Sequence, residues 1–281
     1  MNLDQARVLG GFYLKNLLLM KGAGRLNGMM NGAFWADQAQ RWEALRTEIT
    51  GHDRWLVVGN GPSLKIEDLE TLSSIPAIAS NKINLVYPKT TWRPRLTTIA
   101  DPLLLHKLPA DHFDTLEQSL LPHTHTFMAR TTRKLAWRHL KDAEGERKYV
   151  QGDEAVSPMN GIFVGSTITV ANLQLAMWAG AKTIYIIGCD HNYGKEQSLK
   201  GAGGGGRVSH QGGSDHFDPN YRKPGEVVNV APIGMMDQAY RNMRIIADKR
   251  GVEIINITRT TALDAFKFGT IEEAIRDIQT R

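Results

Sequence analysis

The residues best suited to chemistry in this chain stand just after apolar runs. Asn60 follows "WLVVG", Asn81 follows "AIAS", Asp101 follows "LTTIA", and Asp190 follows "TIYIIGC". A carboxylate such as Asp190 could hold a ribose, ligate a metal or act as a base. The plainer reading is a strand-to-loop turn. His191 and Tyr193 follow it directly. Further on, "SDHFDPNY" sets His216 between Asp215 and Asp218. Neutral imidazole is matched to physiological pH, so His216 is a candidate general base with either carboxylate as its orienter, or else a histidine that hydrogen-bonds its own loop. Asp190 is the second candidate for the catalytic group. No spacing here is specific for a metal, and none is assigned.

Two turns have the makings of an anion site. Gly59-Asn60-Gly61-Pro62-Ser63-Leu64 joins an apolar run to a helical one. It lacks the lysine close of a P-loop, and Pro62 and the absence of a third glycine set it apart from the dinucleotide fingerprint. Gly59 and Gly61 would let backbone approach a ligand, and Asn60 and Ser63 offer side-chain hydrogen bonds to phosphate, ribose or base. A tight turn alone explains it equally well. Gly165, Ser166 and Thr167 precede the apolar segment to Trp178, where free N–H groups and hydroxyls favour an anion; the alternative is that Ser166 only caps the helix.

Short β-rich runs at Trp55–Val58, Ala77–Ala79, Leu96–Ala100, Thr183–Ile187 and Glu253–Ile257 position these groups, with helical segments between several of them, notably Ser166–Trp178, which Gly180 would end. Alternation of this kind predicts an α/β fold: a Rossmann-like, mainly parallel sheet with helices on both faces. Ligands of such sheets bind beyond the carboxyl ends of the strands, where the polar residues stand. Residues 1–50 form an N-terminal helical segment, including an amphipathic helix over "WADQAQRWEALRTEI", and residues 51–281 the Rossmann-like nucleotide-binding domain. Between Gly201 and Gly213, seven of thirteen residues are glycine, which reads as a lid over the strand ends or as a surface loop.

Composition narrows the partners. Of 281 residues, 42% are hydrophobic and 22% charged, which is ordinary for a folded protein. The net charge of +5 is scattered, which fits anionic small molecules or membrane surfaces and argues against nucleic acid. The single cysteine, Cys189, forms no internal disulfide, and no Cys/His set has zinc spacing, so a cytoplasmic setting is expected. The apolar "VLGGFYLKNLLLM" (residues 8–20) is interrupted by Lys15 and Asn16 and is too short to span a membrane. It reads as a helix packed on its own domain or on another subunit of a homo-oligomer, or as a peripheral contact with the inner face of the membrane.

Taken together, "GNGPSL", "SNKI", "GST", "IYIIGCDHNYG", "GGSDHFDPNY" and "GVEIINIT" resemble two related groups over roughly residues 55–260. These are the 6-hydroxymethylpterin diphosphokinase-like family and the bacterial lipooligosaccharide sialyltransferases. The sialyltransferase resemblance implies a modified Rossmann-type sheet with a lid over a CMP-sialic acid site. It further implies that Asn60 and Ser63 contact the phosphate and ribose region, that Asn81 lines the cleft, that Ser166 lies near the donor and that Tyr193 holds the leaving phosphate. Asp101 stands where those enzymes carry asparagine, and "VVNVAPIGMMDQAY" lacks the histidine that serves them as base. The diphosphokinase resemblance implies instead ATP, Mg²⁺ on Asp101 and Asp190, and a pterin acceptor.

The expected function is therefore a transferase that moves a sugar from a nucleotide-activated donor, a CMP-linked acidic sugar, to a cell-surface glycan. A diphosphokinase is the alternative, and a nucleotide-binding protein without catalysis the third.

Overall fold

A computed structural model describes residues 32–99, 165–193 and 215–280, together with 101, 104, 108, 115, 198–199, 207–210 and 212. The expectations for residues 8–20 and for most of the glycine-rich stretch lie outside the described residues.

The elements, in chain order, are α1 (Gly32–Ile49), β1 (Arg54–Val58), α2 (Ile66–Thr71), β2 (Ala77–Ser80), a 3-10 helix (Ile83–Lys89) and β3 (Leu96–Thr98). There follow α3 (Ile168–Trp178), β4 (Thr183–Ile187), β5 (Ser198–Leu199), β6 (Arg207–Ser209), β7 (Val227–Asn229) and β8 (Ala231–Pro232). The chain closes with α4 (Ile233–Arg250), β9 (Glu253–Asn256), β10 (Lys267–Phe268) and α5 (Ile271–Gln279).

Six strands form one sheet in the order β10-β9-β4-β1-β2-β3, and every pairing in it is parallel. The sheet grows outward in one direction from β1 through β2 to β3 and in the other from β4 through β9 to β10. The order therefore reverses between β1 and β4, the arrangement of a Rossmann-like α/β fold. Register at the centre is set over five pairs, from Arg54 beside Thr183 to Val58 beside Ile187.

The sequence of the two central strands explains why the sheet is covered on both sides. Alternate side chains of a strand point to opposite faces, so a strand apolar at every position needs two cores. Trp55, Val57, Ile184 and Ile186 pack with Trp42 of α1, Val170 and Leu173 of α3, and Tyr240 and Met243 of α4. Leu56, Val58, Tyr185 and Ile187 pack on the other face with Leu69 of α2, Ile83 of the 3-10 helix and Ile271 of α5. Helix α1 joins the first core through Trp42, whose ring meets Trp178 edge-on at 5.3 Å.

The strand boundaries follow the local chemistry closely. α3 starts at Ile168, after Thr167 in extended conformation, and stops where Gly180, at φ +97°, donates to the Met177 carbonyl. At the amino end of the sheet, Arg54 holds Asp277 of α5 through two hydrogen bonds of 2.6 and 2.8 Å, and the Tyr185 hydroxyl donates to the same carboxylate at 2.6 Å. Burial and that carboxylate both push the Tyr185 phenol well up. The amino end of the sheet is thus pinned to α5, and the opposite, carboxyl end builds a cleft.

Among the described residues no helix is long and apolar enough to cross a membrane.

Because Ile186 is fully buried in β4, its truncation leaves a cavity. Ile186→Ala should lower the unfolding free energy by about 2–5 kcal/mol, as read from urea denaturation followed by far-UV circular dichroism.

Candidate functional site

The turns after β1 and β4 cross at the point where the strand order reverses. Gly59 N–H donates to the Ile187 carbonyl and Gly61 N–H to the Gly188 carbonyl, both at 2.8 Å. A Cβ on Gly59 would stand 2.3 Å from the Gly188 carbonyl oxygen, and one on Gly61 would stand 1.9 Å from Asp190 Oδ2. The close approach these glycines permit is therefore first to the chain itself. Asp190 completes the crossing: its Oδ1 accepts from Ser63 N–H at 3.1 Å and its Oδ2 from Ser63 Oγ at 2.8 Å. Its backbone carbonyl accepts from Ala262 N–H at 2.8 Å. Burial raises the Asp190 carboxyl above the usual range, and the Ser63 donors act against that rise.

Beyond this crossing lies a cleft of about 400 Å³, within the span of small-ligand pockets. Of the residues expected from the sequence, Gly59, Asn60, Gly61, Asn81, Asp101, Ser166, Thr167, Asp190, Tyr193 and His216 all line it. Ser63 does not, because its hydroxyl is turned to Asp190. Asn60 is aimed by its own amide: Nδ2 donates to the Ser80 carbonyl at 3.2 Å and meets Ser80 Oγ at 3.3 Å, while Oδ1 is buried with no partner among the described residues. A buried acceptor left unpaired costs about 1–3 kcal/mol, and a ligand hydroxyl or amino group would remove that cost.

Three residues that line the cleft carry left-handed backbone although none is glycine: Asn81 (φ 58°), Ser166 (φ 62°) and His191 (φ 53°). Such conformations cost on the order of 1 kcal/mol each for residues with a Cβ. No other described non-glycine residue has a positive φ, so the strain is confined to this site.

The far wall comes from residues 215–232. Lys82 Nζ donates to the Tyr221 carbonyl at 2.5 Å, Lys89 Nζ to Asp218 Oδ2 at 2.8 Å, and Phe217 N–H to the Asn60 carbonyl at 3.2 Å. The antiparallel pairing of β6 with β7 braces it from behind. His216 stacks on Tyr221 with centroids 3.8 Å apart and planes 10° from parallel. Burial above all, then the Arg222, His210 and Lys82 charges, pulls the His216 imidazole down to about 2. His216 is thus a neutral ring whose weak basicity suits stacking better than proton abstraction. Burial pushes the phenols of Tyr193 and Tyr240 well up and that of Tyr221 up to about 12. All three are hydrogen-bond donors at neutral pH.

The carboxylates do not converge. Both oxygens of Asp101 accept from Asn229 Nδ2 at 3.1 Å, and those of Asp190 accept from Ser63. Among the described residues no three His, Cys, Asp or Glu side chains are grouped as a metal would require. The pair named for magnesium is engaged within the protein, Asp101 by Asn229 and Asp190 by Ser63.

Several residues that line the cleft or contact its lining escape a reading by sequence. Arg222, one place beyond "DHFDPNY", brings a guanidinium whose charge is felt by Tyr193, Tyr221 and His216; its signal was its adjacency to that motif. Asp237 and Tyr240 lie inside α4, where nothing in the helical pattern marks them. The stretch "VVNVAPIGMMDQAY" carries no histidine, yet its Asp237 Oδ1 stands 2.7 Å from Nε2 of His191.

No family model, curated protein or solved structure matches this chain.

Two outcomes follow from this geometry. Gly61→Ala should cost about 1–3 kcal/mol, because the added methyl overlaps the Asp190 carboxylate; differential scanning calorimetry would register it. For His216 the folded value of about 2 lies below the ordinary 6.5, so the unfolded chain binds the extra proton between them. The stability contributed by the neutral ring is complete above pH 6.5 and is lost as pH falls toward 2, at up to about 1.4 kcal/mol per pH unit. His216→Phe keeps the stacking and removes the titration, so melting temperatures recorded from about pH 8 to pH 4 should fall less steeply than in the parent chain.

Proposed function

We propose that this chain is a transferase that binds a nucleotide-activated sugar in the cleft between β1 and β4 and passes the sugar to a hydroxyl of a glycan, with a CMP-linked acidic sugar as the donor. The observation that carries the reading is the cleft at the reversal of strand order, walled among the described residues by hydrogen-bonding side chains that include the Arg222 guanidinium, with Asp101 and Asp190 bonded to Asn229 and Ser63. The resemblance of "GNGPSL", "GST" and "IYIIGCDHNYG" to the lipooligosaccharide sialyltransferases points the same way.

On this reading the nucleoside lies along Asn60 and Asn81, where the unpartnered Asn60 Oδ1 accepts from a ribose hydroxyl or a base amino group. The ring pair of His216 and Tyr221 offers a flat surface beside it. The phosphate lies toward Ser166, Thr167, Tyr193 and Arg222. As the acceptor oxygen attacks the anomeric carbon, the bond to the phosphate oxygen breaks and negative charge grows on the nucleotide. Donors already aimed at that oxygen stabilise the transition state more than the ground state. The protonated Tyr193 phenol and the Arg222 guanidinium supply such donors without an ion.

The test is a thermal-shift series with CMP, CTP and ATP, each with and without Mg²⁺. CMP should stabilise the chain in the absence of metal, by about 2.7 kcal/mol at a hundredfold excess over its dissociation constant. Asn60→Ala should weaken CMP about tenfold, the loss of roughly one hydrogen bond. Stabilisation by ATP only with Mg²⁺, and none by CMP, would overturn the reading in favour of a diphosphokinase.

A further inference from the structure

A transferase of this kind needs a group to take the acceptor's proton, and His216 and Asp190 are both poorly disposed to do so. His191 has the required arrangement. It follows β4 directly, lines the cleft, and its side chain is only 3% exposed. Its Nε2 stands 2.7 Å from Asp237 Oδ1. A carboxylate only accepts, so Nε2 carries a proton, and in the neutral ring Nδ1 then presents a lone pair. That Nδ1 is buried and has no hydrogen-bond partner among the described residues. A buried imidazole with one nitrogen held by a carboxylate and the other unoccupied is the orienter–base pairing used for proton transfer.

The surroundings fix the ring. Tyr240 of α4 meets it edge-on at 5.4 Å, and Tyr193 of its own loop at 5.9 Å. Asp237 and Tyr240, three residues apart, share one face of α4, so a single helix supplies both the carboxylate and one of the ring contacts. The facing titratable groups are thus Asp237 and Tyr240 from α4 and Tyr193 from the loop. The left-handed backbone of His191 is strain accepted at this position.

We propose that His191, oriented by Asp237, is the general base of this cleft. The proposal rests on the transferase reading above. The acceptor O–H loses its proton to Nδ1, its oxygen forms the bond to the anomeric carbon, and the electron pair of the breaking carbon–oxygen bond leaves with the nucleotide phosphate. The imidazolium so formed is held by Asp237, and the proton passes afterwards to solvent.

The probe is CMP-sialic acid with water as acceptor, the readout the rate of CMP release, with CMP affinity measured in parallel. Glycine adopts the backbone conformation of position 191 without strain, so His191→Gly removes the ring with little disturbance of the main chain. It should lower CMP release about 100-fold while CMP affinity stays within about threefold, and added imidazole should restore at least about a tenth of the lost rate. Asp237→Asn, at a partly exposed position, should slow release about tenfold and leave CMP affinity unchanged. Release within about threefold of the parent in either variant would overturn the assignment of His191. If the parent chain neither binds CMP nor releases it from the donor, the transferase reading falls and His191 with it.

Discussion

The crossing of two backbones at the carboxyl ends of β1 and β4 is the constraint on which this site depends. Strands paired in parallel stand less than 5 Å apart, and their exits would normally diverge. Here Gly59 and Gly61 run against Gly188 with main-chain hydrogen bonds, and Asp190 clasps Ser63 across the gap. Side chains on the glycines would force the turns apart. The crossing forms the floor of the cleft, with Asn60, Asn81, Ser166, Thr167 and Tyr193 among the groups around it.

A consequence is a division of labour among charged groups. Asp190 accepts from Ser63 through both carboxylate oxygens and serves as a structural clasp. The lysines of the 3-10 helix are likewise turned to the protein, where Lys82 and Lys89 hold the far wall. The cleft is lined besides by neutral donors and acceptors, together with Asp101, Asp215 and the guanidinium of Arg222. The strained backbones of Asn81, Ser166 and His191 surround the same volume, as expected where geometry is held for recognition at some cost in stability.

The sheet was legible in the sequence because its strands are apolar at successive positions and end in polar residues. Thr183–Ile187 matches the observed β4 at both ends, and the other four expected strands differ by a residue or two. The two-residue β10 was not legible, since Lys267 and Phe268 are both exposed and offer no alternation to read. At the site, residues at strand ends could be found one strand at a time, which located Asn60, Asn81, Asp101 and Asp190. Their partners could not be. Nothing local distinguishes a Ser63 that faces a ligand from one that faces a carboxylate 127 positions away. Asp237 looks like any acid on an exposed helix until the turn after β4 brings His191 against it.

The far wall has one more property. Its attachments to the sheet include the Phe217–Asn60 main-chain bond, two lysine contacts, the Asn229–Asp101 pair and the rings of Phe217 and Tyr221, whereas each central strand is paired on both edges and buried on both faces. Amide hydrogens in such a wall exchange through small openings, well below the free energy that unfolds the sheet. An opening confined to the wall would uncover the floor of the cleft while the crossing of Gly59–Gly61 over Gly188–Asp190 stays intact.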